Sequence, residues 1–143
     1  MAVFLTGTYF PTCLRLTVKV ALFPDRGRLF TRSFSTFLST KQFVDEQINS
    51  HKVVVFGRSD CEFSCQAKAT LEAFNLKPGA MGYTNIDERS DFLDVKDYLK
   101  LLTGAGTTPR VFIGQKFFGG GDDTVAAAKD GRLATHLEEV GAI

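Results

Sequence analysis

Among 143 residues there is no tryptophan, and there are only three cysteines and two histidines. Three cysteines make an odd count with no repeated spacing. That argues against a disulfide-stapled secreted scaffold and for reduced surroundings, where a surviving cysteine pair is catalytic or metal-binding. A structural zinc site wants four ligands, commonly as two spaced pairs. Beyond the cysteines only His51 and His136 remain, each isolated, and both read as surface histidines. No lysine or arginine run exists, so a nucleic-acid partner has no footprint. Arg15 and Lys19 interrupt the apolar N-terminal stretch, so no run of about 18 apolar residues is left to span a membrane. The first 14 residues carry no positive charge, whereas a secretory signal places its charge ahead of its apolar core.

What is present divides the chain unevenly. Residues 1–40 carry five basic residues (Arg15, Lys19, Arg26, Arg28, Arg32) against one acid, Asp25, and the remainder has a net charge of −3. Apolar, basic and rich in Ser and Thr, residues 1–38 have the composition of an organelle transit peptide, the alternative being a disordered extension. Arg32-Ser33-Phe34-Ser35 is similar to a mitochondrial processing pattern cut after Phe34, so the expected address is the mitochondrion, with plastid or cytoplasm as alternatives. Cys13 would leave with this segment.

Residues 39–143 form one domain's length. Ser39 with Gln42 is a capping-box pattern and predicts a helix to about Asn49. Residues 52–56, KVVVF, read as a buried strand. A polar turn, then a helix from about Glu62 to Phe74, follows, with Cys65, Ala69, Leu71 and Phe74 as its apolar stripe. Residues 83–86 predict a second strand, and Asp87 opens a helix with Phe92, Val95, Leu99 and Leu102 on one face, ended by Gly104. RVFI and KFF around Gly114-Gln115 predict a hairpin. Asp122 or Asp123 caps a further helix, and an amphipathic piece follows Gly131. The order predicts an α/β fold, a mixed four-stranded sheet flanked by helices.

The chemistry concentrates in FGRSDCEFSCQAK, residues 56–68. Cys61 sits where a strand gives way to a helix. Free N–H groups and about half a positive charge gather at a helix start, so a thiolate there is stabilised below the free-thiol value of about 8.5. Arg58 adds positive charge, while Asp60 and Glu62 oppose it. Cys65, one turn on, is expected in the core, since free cysteine is often buried. Residues four apart share a helix face, so Cys65 also stands as a secondary thiol, and a transient Cys61–Cys65 bridge is conceivable.

VVVFGRSDCEFS (53–64), LTG (102–104), TTPRVFIGQKFFGGGDD (107–123) and DGRLATHLEEVGAI (130–143), in this order, resemble the glutaredoxin family, in the class close to the animal dithiol enzymes. The resemblance covers residues 39–143 and implies a thioredoxin fold and the use of glutathione. It places Cys61 at the nucleophile position. Glu62 replaces the usual Pro, Phe63 replaces Tyr, and Ser64 falls at the resolving position, where it supplies no thiol. Arg58 and Lys96 match the cations that face glutathione carboxylates. Pro109 matches the cis proline, and Thr108 offers its backbone to the glutathione cysteine. Gly120 allows close backbone approach, and Asp122 and Asp123 match the residues at the γ-glutamyl end.

The implied activity is reduction of protein–glutathione mixed disulfides by a monothiol route, with glutathione and glutathionylated proteins as partners and a monomer as the working state. One alternative is a 2Fe–2S cluster bridged between two copies through Cys61 and glutathione. Dedicated carriers resemble C-G-F-S with an insertion and a Trp-Pro, which this chain lacks. The other is a non-catalytic glutathione-binding domain in which Glu62 leaves Cys61 poorly activated.

Overall fold

The β-branched run at 53–56 is buried on both faces. The computed structural model describes residues 27–143, with side chains from Ser35 onward. β1 (Val53–Gly57) lies second in a sheet of order β2-β1-β3-β4, with β2 at Met81–Asn85, β3 at Arg110–Ile113 and β4 at Lys116–Gly119. β2 runs parallel to β1, while β3 and β4 add antiparallel. The parallel pair needs a crossover, which α2 (Glu62–Glu72) provides. The antiparallel pair needs only Gly114-Gln115, with φ of 58° and 67°, the left-handed pair that a type I′ turn requires. The mixed four-stranded sheet of the thioredoxin fold is therefore as the sequence predicts.

Alternation along β1 feeds two cores. Val53 and Val55 pack with Leu71, Leu133 and Leu137 under α2, α4 (Gly121–Lys129) and α5 (Arg132–Glu139). Val54 and Phe56 pack with Val44, Val95 and Leu99 under α1 (Gly27–Ser50) and α3 (Phe92–Thr103). Each fully buried leucine contributes about 1.5–3 kcal/mol of transfer free energy. These helices clamp the sheet from both sides and hold the ends of β1 and β3, from which the reactive turn springs, in fixed relation.

Three local expectations are corrected. Ser39 does not start α1: the helix runs from Gly27 through Ser50, and the Ser39 hydroxyl donates to the Thr36 carbonyl at 2.8 Å inside it. Its place is set by tertiary contacts instead, as buried Thr40 donates to Asp91 at 2.8 Å and Tyr98 donates to Asp45 at 2.9 Å. Asp87 does not open α3; it lies in a 3-10 turn, Ile86–Glu88, and α3 begins at Phe92. The α2 stripe is rotated: Ser64, Ala67 and Leu71 are buried, while Cys65 and Ala69 are exposed. On α3, Tyr98 takes the inner position and Leu102 is 42% exposed.

The transit-peptide reading of residues 1–38, with Cys13 and the Arg32-Ser33-Phe34 pattern, falls outside the described residues apart from the α1 backbone from Gly27 and the side chains of residues 35–38. Among the described residues no helix is long and apolar enough to cross a membrane.

Candidate active site

β1 ends at Gly57 and α2 begins at Glu62, so four residues must reverse the chain and present Cys61 as the α2 N-cap, with φ −103° and ψ 113°. Its carbonyl accepts from the Ser64 and Cys65 N–H groups at 3.0 and 3.1 Å. The turn is braced from outside: the Ser59 N–H donates to Asp87 Oδ1 at 3.1 Å, and the Ser59 hydroxyl donates to Asp87 Oδ2. This brace was not foreseen, because the sequence pattern assigned Asp87 to a helix start 28 positions from Ser59.

Cys61 is half-buried, and its thiol donates weakly to the Thr108 carbonyl at 3.7 Å. Its pKa is held below the ordinary thiol value, first by the Ser64 hydroxyl. The Ser64 N–H, the Thr108 side chain and the Phe63 N–H contribute less, and partial burial opposes them. The helix start therefore acts through particular N–H groups. Arg58 is not among the causes: its guanidinium donates to Asp60 at 2.8 Å and lies over the Phe92 ring at 5.8 Å. Ser64, which contributes most, is fully buried and accepts from the Arg58 N–H at 3.3 Å. Cys65, expected in the core, is exposed on α2, because Ser64, Ala67 and Leu71 take the inner face of that helix.

The Thr108–Pro109 bond is cis, as expected. Arg58, Lys96 and Thr108, together with Phe92, Gly106 and Thr107, line a groove of about 260 Å³ beside the turn. Within it Arg58 Nε is buried without a partner. On the other side of Pro109, the starts of α2 and α4 meet. A β-carbon on Gly121 would lie 3.0 Å from the Phe63 carbonyl and 3.3 Å from Pro109 Cδ, so the two helix starts pack closely there, while a β-carbon on Gly120 would meet nothing nearer than Asp123 Oδ2 at 3.7 Å. Phe63 is 52% exposed. Asp123 caps α4 from its third position, accepting from the N–H of the N-cap residue Gly120 at 2.8 Å, and Asp122 is exposed beside it. Cations, thiol, cis-proline loop and acidic helix start thus follow one another across one end of the sheet. A larger cleft, about 630 Å³, opens at the opposite end around Lys52, Lys77 and Gly114, and none of the sequence-predicted site residues lines it.

Arg110 is a further residue that sequence reasoning passed over. It is 7% exposed, donates to the Thr107 hydroxyl and lies over Phe117 at 5.4 Å, so it pins the loop that carries Thr108. A cation inside an otherwise apolar strand, RVFI, was its signal.

Among the described residues no group of three or more His, Cys, Asp or Glu side chains is placed to hold a metal ion. A single half-buried thiol at a helix start, facing a cis-proline loop on a mixed four-stranded sheet, defines a thiol–disulfide oxidoreductase of the thioredoxin fold. The comparisons with known proteins narrow this. The family model for glutaredoxin matches residues 53–118. Glutaredoxin-1 of Oryctolagus cuniculus is 37% identical over 103 residues, covering 72% of this chain and 97% of that protein. Glutaredoxin-1 of Sus scrofa is 40% identical over 101 residues, covering 71% and 95%. Among solved structures, oxidized glutaredoxin 2 from Chlamydomonas reinhardtii superposes with a TM-score of 0.69 at 34% identity, over 75% of this chain and 98% of that one. A buckwheat glutaredoxin–glutathione complex gives 0.70 at 29% identity, over 76% and 96%. The chain belongs to the glutaredoxin family and is an oxidoreductase of that family.

Proposed function

We propose that the protein reduces protein–glutathione mixed disulfides by a monothiol route, as a monomer. The observation that carries this is the pairing of a half-buried Cys61, its thiolate favoured, with a fully buried serine at the resolving position. The Cys61 thiolate attacks the glutathione sulfur. A Cys61–glutathione disulfide forms as the protein–glutathione bond breaks, and the departing protein sulfur takes the electron pair and then a proton. A second glutathione thiolate attacks the glutathione sulfur of that intermediate. Glutathione disulfide leaves, and the Cys61 thiolate is restored. Ser64 cannot form a disulfide, so nothing at that position competes with the second glutathione.

Glutathione carries two carboxylates and one amine. Arg58 and Lys96 supply cations along the groove. Asp123 supplies an anion on the other side of Pro109 for the amine. Thr108 contributes backbone, and Phe63 an apolar rim. A glutathione complex is known for the buckwheat relative. Residues 1–38 serve as a mitochondrial address in this reading. A cluster bridged between two copies would take its protein sulfur from Cys61, the thiol that faces the Thr108 loop.

Mass analysis after incubation with glutathione disulfide tests the proposal. One glutathione adduct on Cys61 is expected, with none on Cys61→Ser. Cys65→Ser should keep most of the activity on a glutathione mixed disulfide while Cys61→Ser abolishes it. Total loss in both variants would make Cys65 a resolving thiol and end the monothiol reading.

A further inference from the structure

A serine hydroxyl has one proton to donate and two lone pairs to receive, so a buried serine points its proton where its neighbours leave it no other choice. The Arg58 N–H addresses one lone pair of Ser64, at 3.3 Å. The flank beside it is closed by Tyr83 of β2, whose hydroxyl reaches over the end of β1. A β-carbon on Gly57 would lie 2.3 Å from Tyr83 Oη and 3.1 Å from Ser64 Cβ. The phenol therefore occupies the place where any other residue at 57 would begin its side chain, against Ser64. Lys68 Nζ stands 5.1 Å over the outer face of the ring and helps fix it. The titratable groups around the hydroxyl are Cys61, Cys65 and Lys68 from α2 and Asp87 beyond β2. Burial, and then the charge of Cys65, hold the phenol above its ordinary range, while Ser64 works the other way. The phenol is neutral at working pH and so keeps a proton to donate.

We propose that Tyr83 is a positioning residue for Cys61: its hydroxyl, seated in the space left by the absent Gly57 side chain, holds Ser64 so that the serine proton points to the Cys61 sulfur. With the Arg58 N–H on one lone pair and the Tyr83 hydroxyl packed into the Gly57 flank beside the serine, the serine proton is left for the thiolate. The inference rests on Cys61 being the reacting thiol and is independent of the glutathione route that follows. It gives Gly57 and Tyr83 a joint purpose: the missing methyl and the added hydroxyl fit one another.

The test is the pH profile of Cys61 alkylation by iodoacetamide in a Cys13→Ser, Cys65→Ser background, which reads the sulfur without glutathione. Tyr83→Phe should slow alkylation about threefold on the acid limb and leave the alkaline plateau unchanged. In a Ser64→Ala background the same substitution should change nothing. Gly57→Ala, which displaces the hydroxyl, should reproduce the Tyr83→Phe profile; should it fail to fold, Tyr83→Phe alone carries the decision. An unaltered profile in Tyr83→Phe, an equal loss in the Ser64→Ala background, or a parental profile in folded Gly57→Ala would each overturn the proposal. If Cys61 lacks activity toward glutathione mixed disulfides while these shifts appear, the functional reading fails and this one stands.

Discussion

Ser64→Ala removes the hydroxyl that does most to favour the Cys61 thiolate. An enclosed hydrogen bond to an ionised group contributes about 1.5–3 kcal/mol. Cys61 is half-buried, and water replaces part of what is lost, so the lower end applies. About 1.4 kcal/mol is a factor of ten in the ionisation equilibrium. The thiolate population below the ordinary thiol range should therefore fall about tenfold, and the alkylation rate with it. At high pH, where both forms are ionised, the two proteins should react alike. The sign for stability follows from the lowered thiol pKa. Cys61 contributes stability that is present above the unfolded thiol value and lost as pH falls through the folded value. Ser64→Ala should shrink that pH-dependent gain. It also strips the Arg58 N–H of its 3.3 Å acceptor, for about 1 kcal/mol in a urea titration. The assay is iodoacetamide alkylation from pH 4 to 10 in the background without Cys13 and Cys65. Superimposable profiles for parent and variant would show that the helix start alone holds the thiolate, and the argument from Ser64 would be refuted.

The groove and the brace give two further expectations. Arg58→Gln and Lys96→Gln should each raise KM for glutathione several-fold to about tenfold and leave the alkylation rate of free Cys61 unchanged; steady-state kinetics at low and high salt check this, with the smaller effect at high salt. Asp87 is held below the usual carboxylate range, chiefly by the Ser59 hydroxyl, so its contribution is fully present above the unfolded value near 3.8 and is lost as pH falls through the lower folded value. Asp87→Asn should flatten the acid side of the urea-midpoint profile between about pH 5 and pH 2, and an unchanged slope would show that the Ser59 brace carries no stability.

Much of the site was legible in order along the chain. A β-branched run, a polar turn and a cysteine at a helix start specify a thiol at a strand end, because backbone N–H groups at a helix start are free by construction. The Gly114-Gln115 turn lies where its own residues placed it, and the Thr108–Pro109 bond is cis as the family resemblance implied. Periodicity failed where tertiary contact overrode local preference. It put Cys65 in the core and left Ser64 unassigned inside, because hydropathy ranks sulfur above a hydroxyl whatever hydrogen bonds the fold provides. It began α1 at Ser39, whereas the helix runs from Gly27 and is held by distant partners such as Asp91, which accepts from Thr40.

The sequence alone singled out the atom expected to react and the kind of surface expected around it: a thiol at the start of α2, a serine three positions on, and cations and acids on separate elements. Only the tertiary structure decided what tunes that thiol. Asp87 reaches Ser59 across 28 positions, Arg110 pins the Thr107–Thr108 loop, and the Tyr83 hydroxyl fills the void at Gly57 beside Ser64. The physical reason is that orientation and burial of a polar group depend on partners distant in sequence. Pairing β2 beside β1 brings Tyr83 to Val55, two residues from Gly57, and no local pattern encodes that.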